Sequence, residues 1–203
     1  MKISCLQVGP IAVNCYLVCD EAARLCAIVD PGGDADRVAA AVEQTGCRPD
    51  CILLTHGHYD HTGGVAGLRQ RWQDIPVYIN RRDVHPAGES RLFLPLPEGV
   101  RNYDEGDEVR MGGLTFHVLA TPGHSAGSVT LQVENVLLCG DTLFAGSCGR
   151  TDFPDGSMEQ MMASLRRLDA LEGDYAVLPG HMETSTLSRE RAGNPYLLHA
   201  RKG

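Results

Sequence analysis

The sequence predicts an α/β protein in which two layers of strands lie between two layers of helices, an αββα sandwich, and three observations carry that expectation. Strand-like runs come in groups, each followed by helical periodicity, whereas a βα barrel would alternate strand and helix one for one. The two groups occupy the two halves of the 203 residues. In both halves, residues suited to binding metal stand directly after apolar strand-like runs, as they do where an α/β sheet carries its site at strand ends. The halves are not alike enough by eye to establish a repeat, so internal duplication is inferred from this layout alone.

Taken in order, residues 3–8, 14–19 and 25–29 have strand length and pattern, and Asp30-Pro31-Gly32-Gly33 closes the third with turn residues. Residues 34–42 open with acidic side chains and repeat apolar ones at helical spacing, with Gly46 as a stop. A strand at 51–54 leads into a polar loop, after which Gly63-Gly64-Val65 opens a second helix reaching about residue 72. Residues 77–79 form a short strand and a short helix is expected near residues 81–85. The proline-rich Leu94-Pro95-Leu96-Pro97 is a loop placed to flank a substrate. Residues 114–119, 128–133 and 136–139 read as strands, the last two joined by a tight turn at Glu134-Asn135. An amphipathic helix covers 157–171, a final strand covers 176–178, and a helix over 184–192 closes the chain.

One domain over residues 1–203 is expected, since no Pro/Ser-rich linker or low-complexity tract divides the chain and its length suffices for a substantial core. With 26 acidic residues against 18 basic, the formal charge of -8 disfavours a surface that neutralises a nucleic-acid backbone. The N-terminal residues alternate with strand period and are too short and polar for a secretory signal, and no run approaches membrane-spanning length. A cytoplasmic location without nucleic-acid or membrane partners is therefore expected; the oligomeric state is not legible. The eight cysteines, most of them in strand-like segments (Cys5, Cys15, Cys19, Cys26, Cys51, Cys139), include no Cys-X-X-Cys pair and read as buried thiols in a reducing compartment. Cys148, in the loop after Asp141, is open to two readings, a reactive thiol or a packing residue.

The densest chemistry is His56-Gly57-His58-Tyr59-Asp60-His61, three imidazoles and a carboxylate within six residues. Such donors suit zinc, iron or manganese. A merely solvated loop of titrating histidines does not account for the further candidates: His124 after residues 114–121, Asp141 after 136–140, and His181 after 176–180. A structural zinc takes about four ligands, so seven strand-end candidates suit two ions that share one bridging carboxylate.

These residues give the sequence its resemblance to the metallo-β-lactamase-fold hydrolases, whose first motif, His-X-His-X-Asp-His, is filled by His56, His58, Asp60 and His61. The likeness covers nearly the whole chain. The stretch from Gly140-Asp141-Thr142 through Cys148-Gly149-Arg150-Thr151-Asp152-Phe153 looks like the glyoxalase II (hydroxyacylglutathione hydrolase) branch. Pro179-Gly180-His181 and Asn194-Pro195-Tyr196 look like its short bacterial members, which lack the C-terminal helical segment that grips glutathione. The resemblance implies the αββα fold and two divalent ions, zinc first with iron or manganese as substitutes. His56, His58 and His124 would hold one ion, Asp60, His61 and His181 the other, and Asp141 would bridge them.

Water between two dications has its pKa lowered towards neutrality, and the ions polarise a carbonyl and stabilise the oxyanion formed on attack. The implied activity is hydrolysis of thioesters of the S-D-lactoylglutathione type by a metal-bridging hydroxide, with Asp141 and Asp60 as catalytic residues and Asp60 also orienting the water. Arg150 stands where glyoxalase II enzymes carry a basic residue that contacts the glycine carboxylate of glutathione; a salt bridge with Asp152 or Asp155 is the alternative. Cys148 and Tyr59 complete the substrate-binding candidates, although Tyr59 can equally face solvent. His85, His117 and His199 match no ligand position. A second implied function is a persulfide dioxygenase with one iron at His56, His124 and Asp141, since that class shares Gly149-Arg150-Thr151-Asp152-Phe153. β-Lactam hydrolysis is not favoured for a chain without a signal segment, and a non-catalytic binding module would have lost at least one ligand.

Overall fold

A computed structural model of the protein describes residues 1–86 and 88–202. Strands β1 (Lys2–Val8), β2 (Val13–Asp20) and β3 (Leu25–Val29) form an antiparallel meander, with Lys2 opposite Cys19 and Tyr16 opposite Val29. Helix α1 (Ala35–Gln44) crosses over to β4 (Arg48–Leu53), which lies parallel to β3. Then follow α2 (Tyr59–Thr62), α3 (Val65–Arg71), β5 (Val77–Ile79), a 3-10 turn at Arg81–Asp83, and the edge strand β6 (Arg101–Asn102). The first sheet runs in the order β1-β2-β3-β4-β5-β6.

The second half adds β7 (Glu108–Met111), β8 (Leu114–Ala120), β9 (Val129–Val133) and β10 (Val136–Gly140), the last three each antiparallel to the strand before. A two-stranded hairpin of β11 (Leu143–Phe144) and β12 (Ser147–Cys148) precedes α4 (Met158–Asp169). The chain closes with β13 (Ala176–Pro179), β14 (Ser185–Thr186), α5 (Leu187–Gly193) and α6 (Pro195–Ala200). The second sheet runs β14-β13-β10-β9-β8-β7, with β13 parallel to β10.

The side-chain period of two decides the layering. Along β2, Cys15, Leu17 and Cys19 join an outer core with Val38 and Val42 of α1 and Leu68 of α3, while Tyr16 and Val18 face inward. The inward set meets Phe116, Val118, Leu131 and Leu138 of the second sheet, forming the apolar layer between the sheets. On the far side, Leu137, Cys139 and Val177 pack under Met161, Leu165 and Leu168 of α4 and Leu197 of α6. This is the αββα sandwich that the sequence predicts. Phe116 is fully buried between the sheets, so truncating it to alanine removes about 3–5 kcal/mol of stability.

Several expectations are corrected. The second helix starts at Val65, and Gly63 and Gly64 form the turn before it, packed on the backbone of Pro31, Gly32 and Gly33 where no Cβ fits. The ligand-rich stretch is itself partly helical, since Asp60 and His61 lie in α2. The closing helix divides: residues 185–186 pair with β13, α5 starts at Leu187 with Thr186 accepting a hydrogen bond from the Arg189 amide at 3.2 Å, and α6 begins after the Asn194 cap. The proline-rich loop does not reach the site; Leu96 packs on the first outer core, and Leu92 and Phe93 just before it approach the histidines. The tight turn at Glu134-Asn135 is present, with Glu134 at a φ of 49°.

Candidate metal centre

Each strand that ends near the rim delivers one or more of the candidate ligands. β4 runs on through Leu54 and Thr55 into His56, and β10 ends at Gly140, whose φ of 48° turns the chain so that Asp141 faces back across the sheet ends. A Cβ on Gly140 would collide with the Thr55 hydroxyl. β13 ends at Pro179, and the Gly180 amide bonds the Gly140 carbonyl at 2.8 Å, placing His181 beside Asp141. His124 stands on the loop between β8 and β9, whose ends are pinned by the Thr121 amide on the Ser128 carbonyl at 2.9 Å.

All seven candidate ligands converge. Three overlapping groups have ligand atoms within 4.8 Å of one another: His56, His58 and His124; His56, His61 and Asp141; and Asp60, His61 and His181. His58 Nδ1 lies 2.9 Å from His124 Nε2, and His181 Nε2 lies 3.0 Å from Asp60 Oδ2. Asp141 spans the two ends, with Oδ1 3.4 Å from His61 Nε2 and Oδ2 3.4 Å from His124 Nε2 and 3.7 Å from His181 Nε2. His56 Nε2, His61 Nε2 and Asp141 Oδ1 are buried without any hydrogen-bond partner. Buried polar atoms left this way cost free energy, and a cation at their common focus removes that cost. The donor set, five imidazoles and two carboxylates, fits a pair of divalent ions.

The opposite ring nitrogens are held by the protein. His61 Nδ1 donates to Asp30 Oδ2 at 2.9 Å, His124 Nδ1 donates to the Arg150 carbonyl at 2.7 Å, and His56 Nδ1 faces the Thr55 hydroxyl at 3.2 Å. Each contact fixes a proton on Nδ1 and aims Nε2 inward, so that Nε2 is the nitrogen a metal would use, displacing any proton it carries. Burial, reinforced by neighbouring histidines, holds His56 well below the ordinary range and His58 at about 4, so both are neutral at pH 7. Asp141 is opposed by burial, yet His61 and the other histidines around it bring its carboxyl down to about 2. For His61, burial lowers the pKa but Asp30 and Asp141 outweigh it and raise it. Asp60 is likewise lowered against its burial, by His181 and His61.

Above this cluster opens a cavity of about 580 Å³, whose lining includes all three substrate-binding candidates, Tyr59, Cys148 and Arg150, along with Phe144, Phe153 and Met182. The Arg150 guanidinium forks onto Asp152, and not Asp155, at 2.6 and 2.7 Å and stacks over Phe153 at the cavity wall. Burial pushes the Cys148 thiol up to about 11, which keeps it protonated at neutral pH, and the side chain packs against the outer core under α4. His117 is exposed on β8 beside Glu108, and His199 lies in α6; neither belongs to the ligand groups.

Several supports escaped the sequence reading. Asp30, taken only as a turn residue, is 2% exposed and also accepts hydrogen bonds from the Thr55 amide and hydroxyl at 2.8 and 2.6 Å. Asn14 Nδ2 donates to the carbonyls of Pro179 and Met182, both at 3.0 Å, and fastens the His181 loop to β2. Buried Glu190 accepts from the Gly146 amide at 2.7 Å and from Asn194 Nδ2 at 2.8 Å, anchoring the β11–β12 hairpin to α5. Only the turn signature after a strand at Asp30 offered any local clue.

Comparison with known proteins agrees with this geometry. A model described as the Metallo-beta-lactamase superfamily matches residues 8–181. The chain is 34% identical to the hydroxyacylglutathione hydrolase GloC of Haemophilus influenzae, over 97% of this chain and 98% of that one. A crystal structure of the BLEG-1 B3 metallo-beta-lactamase superposes with a TM-score of 0.87 at 33% identity, covering 97% of this chain and 99% of the other. A di-iron-bound form of TTHA1623 gives 0.83 at 36% identity, covering 95% and 99%.

Proposed function

Because the chain belongs to the metallo-β-lactamase superfamily, we propose that it is a binuclear metal-dependent hydrolase of thioesters, acting on small acylthiols of the hydroxyacylglutathione type. The observation that carries this reading is the set of buried, partnerless nitrogen and oxygen atoms of His56, His61 and Asp141 at the floor of the cavity. His56, His58 and His124 would hold one ion, Asp60, His61 and His181 the second, and Asp141 both. The chemistry such a pair of divalent ions, zinc first, would supply there is a nucleophilic water at neutral pH and polarisation of the thioester carbonyl.

The protein contributes the remainder. Asp60 Oδ2, 3.0 Å from His181 Nε2 and ionised because its pKa is lowered, can accept a hydrogen bond from the attacking water and point its lone pair at the carbonyl. Asp30, Thr55 and the Arg150 carbonyl fix the tautomers of His61, His56 and His124, so no histidine has to rearrange during turnover. Phe144, Phe153 and Met182 give the cavity apolar wall for the acyl or thiol part of a substrate. Cys148, its thiol pKa raised by burial, serves as part of the wall. Arg150 offers a guanidinium to a substrate carboxylate that can compete with Asp152.

A persulfide dioxygenase with one iron at His56, His124 and Asp141 is the second reading, favoured by one observation: the crystal structure of ETHE1 from Myxococcus xanthus superposes on the chain with a TM-score of 0.82 at 29% identity, covering 100% of this chain and 91% of that one. One assay decides. Purified protein is analysed for metals, then given a panel of thioesters and, separately, glutathione persulfide under oxygen. Metal-dependent thioester cleavage without oxygen uptake supports the hydrolase. Oxygen uptake with the persulfide and no thioester cleavage overturns it.

A further inference from the structure

We propose that Asp83 is a positioning residue for the three-histidine half of the centre, its carboxylate locking the loop that carries His56 and His58 onto the loop that carries His124. The inference rests on the two-metal reading above. Asp83 ends the 3-10 turn after β5 and belongs to neither loop, yet its side chain reaches both and is 2% exposed. Oδ2 accepts from the Gly57 amide at 2.9 Å and from the Ser125 hydroxyl at 2.6 Å, while Oδ1 accepts from the Gly127 amide at 2.5 Å. Gly57 lies between His56 and His58, and Ser125 follows His124, so two of these bonds are made one residue from a candidate ligand.

Both loops approach so closely that a side chain is excluded. A Cβ on Gly57 would strike the carbonyl oxygen and Cβ of Asp83, and one on Gly127 would strike Oδ1. The contact therefore sets the distance between the loops as well as their orientation, and the 2.9 Å separation of His58 Nδ1 from His124 Nε2 is its result. Asp60, His61 and His181 are held by other groups, Asp30 through His61 and Asn14 through the His181 loop, which share no hydrogen bond with Asp83. An amide cannot replace the carboxylate. Asparagine has one acceptor oxygen where three donors converge, and although the Ser125 hydroxyl can turn to accept, a backbone N–H is left facing the Nδ2 hydrogens.

The test is zinc titration of chelator-stripped protein against a competing chromophoric chelator, which resolves two dissociation constants. His58→Ala and His181→Ala identify which constant belongs to which half. In Asp83→Asn the constant lost in His58→Ala is expected to rise about 10–100-fold, the usual effect of removing an outer partner of a metal ligand, while the other moves less than about 3-fold. Ser125→Ala, which removes one of the three bonds, should move the same constant by a smaller factor. Both constants unmoved, or both raised together, would overturn the proposal, since a general loss of structure does not discriminate between the halves. If Asp83→Asn shows no cooperative melt, Ser125→Ala carries the test with the same outcomes. A wild type that takes a single zinc refutes the two-metal reading instead. Asp83 then stands only if that ion is lost in His58→Ala and weakened in Asp83→Asn.

Discussion

Asp30→Asn changes one atom and should undo the second half of the centre. The native carboxylate serves three donors, the Thr55 amide and hydroxyl and His61 Nδ1, at 2.8, 2.6 and 2.9 Å. In the variant the remaining oxygen can keep the Thr55 amide, and the Thr55 hydroxyl can reverse to accept from the new amide. His61 cannot keep its proton on Nδ1, because an N–H would then face an N–H. His61 then holds its one remaining proton on Nε2, the nitrogen that lies 3.4 Å from Asp141 Oδ1 and 3.5 Å from Asp60 Oδ2 and that a metal would use. Losing one buried charge-assisted bond costs the metal-free protein about 1.5–3 kcal/mol. The tautomer change should weaken zinc binding at Asp60, His61 and His181 by about 10–100-fold. Guanidinium unfolding of chelator-treated protein reads the first quantity and zinc titration the second. A stability within about 0.5 kcal/mol of wild type together with an unchanged second zinc constant would refute the tautomer reasoning.

Asp141→Asn should abolish thioester hydrolysis with the fold retained by circular dichroism, because one of the two carboxylates in the ligand groups loses its charge; full activity would exclude a bridging role. Asp60→Ala should lower kcat by a larger factor than it lowers bound metal, measured by elemental analysis beside steady-state kinetics. Near-full activity with one metal lost would contradict the assignment of Asp60 to the water. Acid should destabilise the metal-free protein through His58, whose folded pKa of about 4 lies below the ordinary 6.5. With a depressed histidine the unfolded chain takes up the proton first, so stability is intact above pH 6.5 and falls as pH drops towards 4. The loss attributable to this group approaches about 3 kcal/mol. Guanidinium midpoints at pH 7.5 and 4.5 should therefore differ more in wild type than in His58→Phe; equal differences would count against a neutral buried His58.

Contiguous residues by themselves determined a good deal. The period-two and helical patterns marked most of the strands and α1 and α4, and the histidine motif with three lone ligands after strands marked the centre, because each signal is written within a few adjacent positions. The strands β6, β7 and β14 and the short α6 were not legible, since they hold too few turns or alternations to show a period, whereas the equally short β5 and β13 stood out as apolar runs. The supports of the site were hidden for a different reason. Asp30 meets His61 across 31 positions, Asp83 meets Gly127 across 44, and Asn14 meets Met182 across 168. No local pattern distinguishes a buried carboxylate that orients an imidazole from one that faces water. Only the packing of two sheets and their loops brings such a group within 3 Å of its partner, and that contact decides which nitrogen of each histidine is free for chemistry.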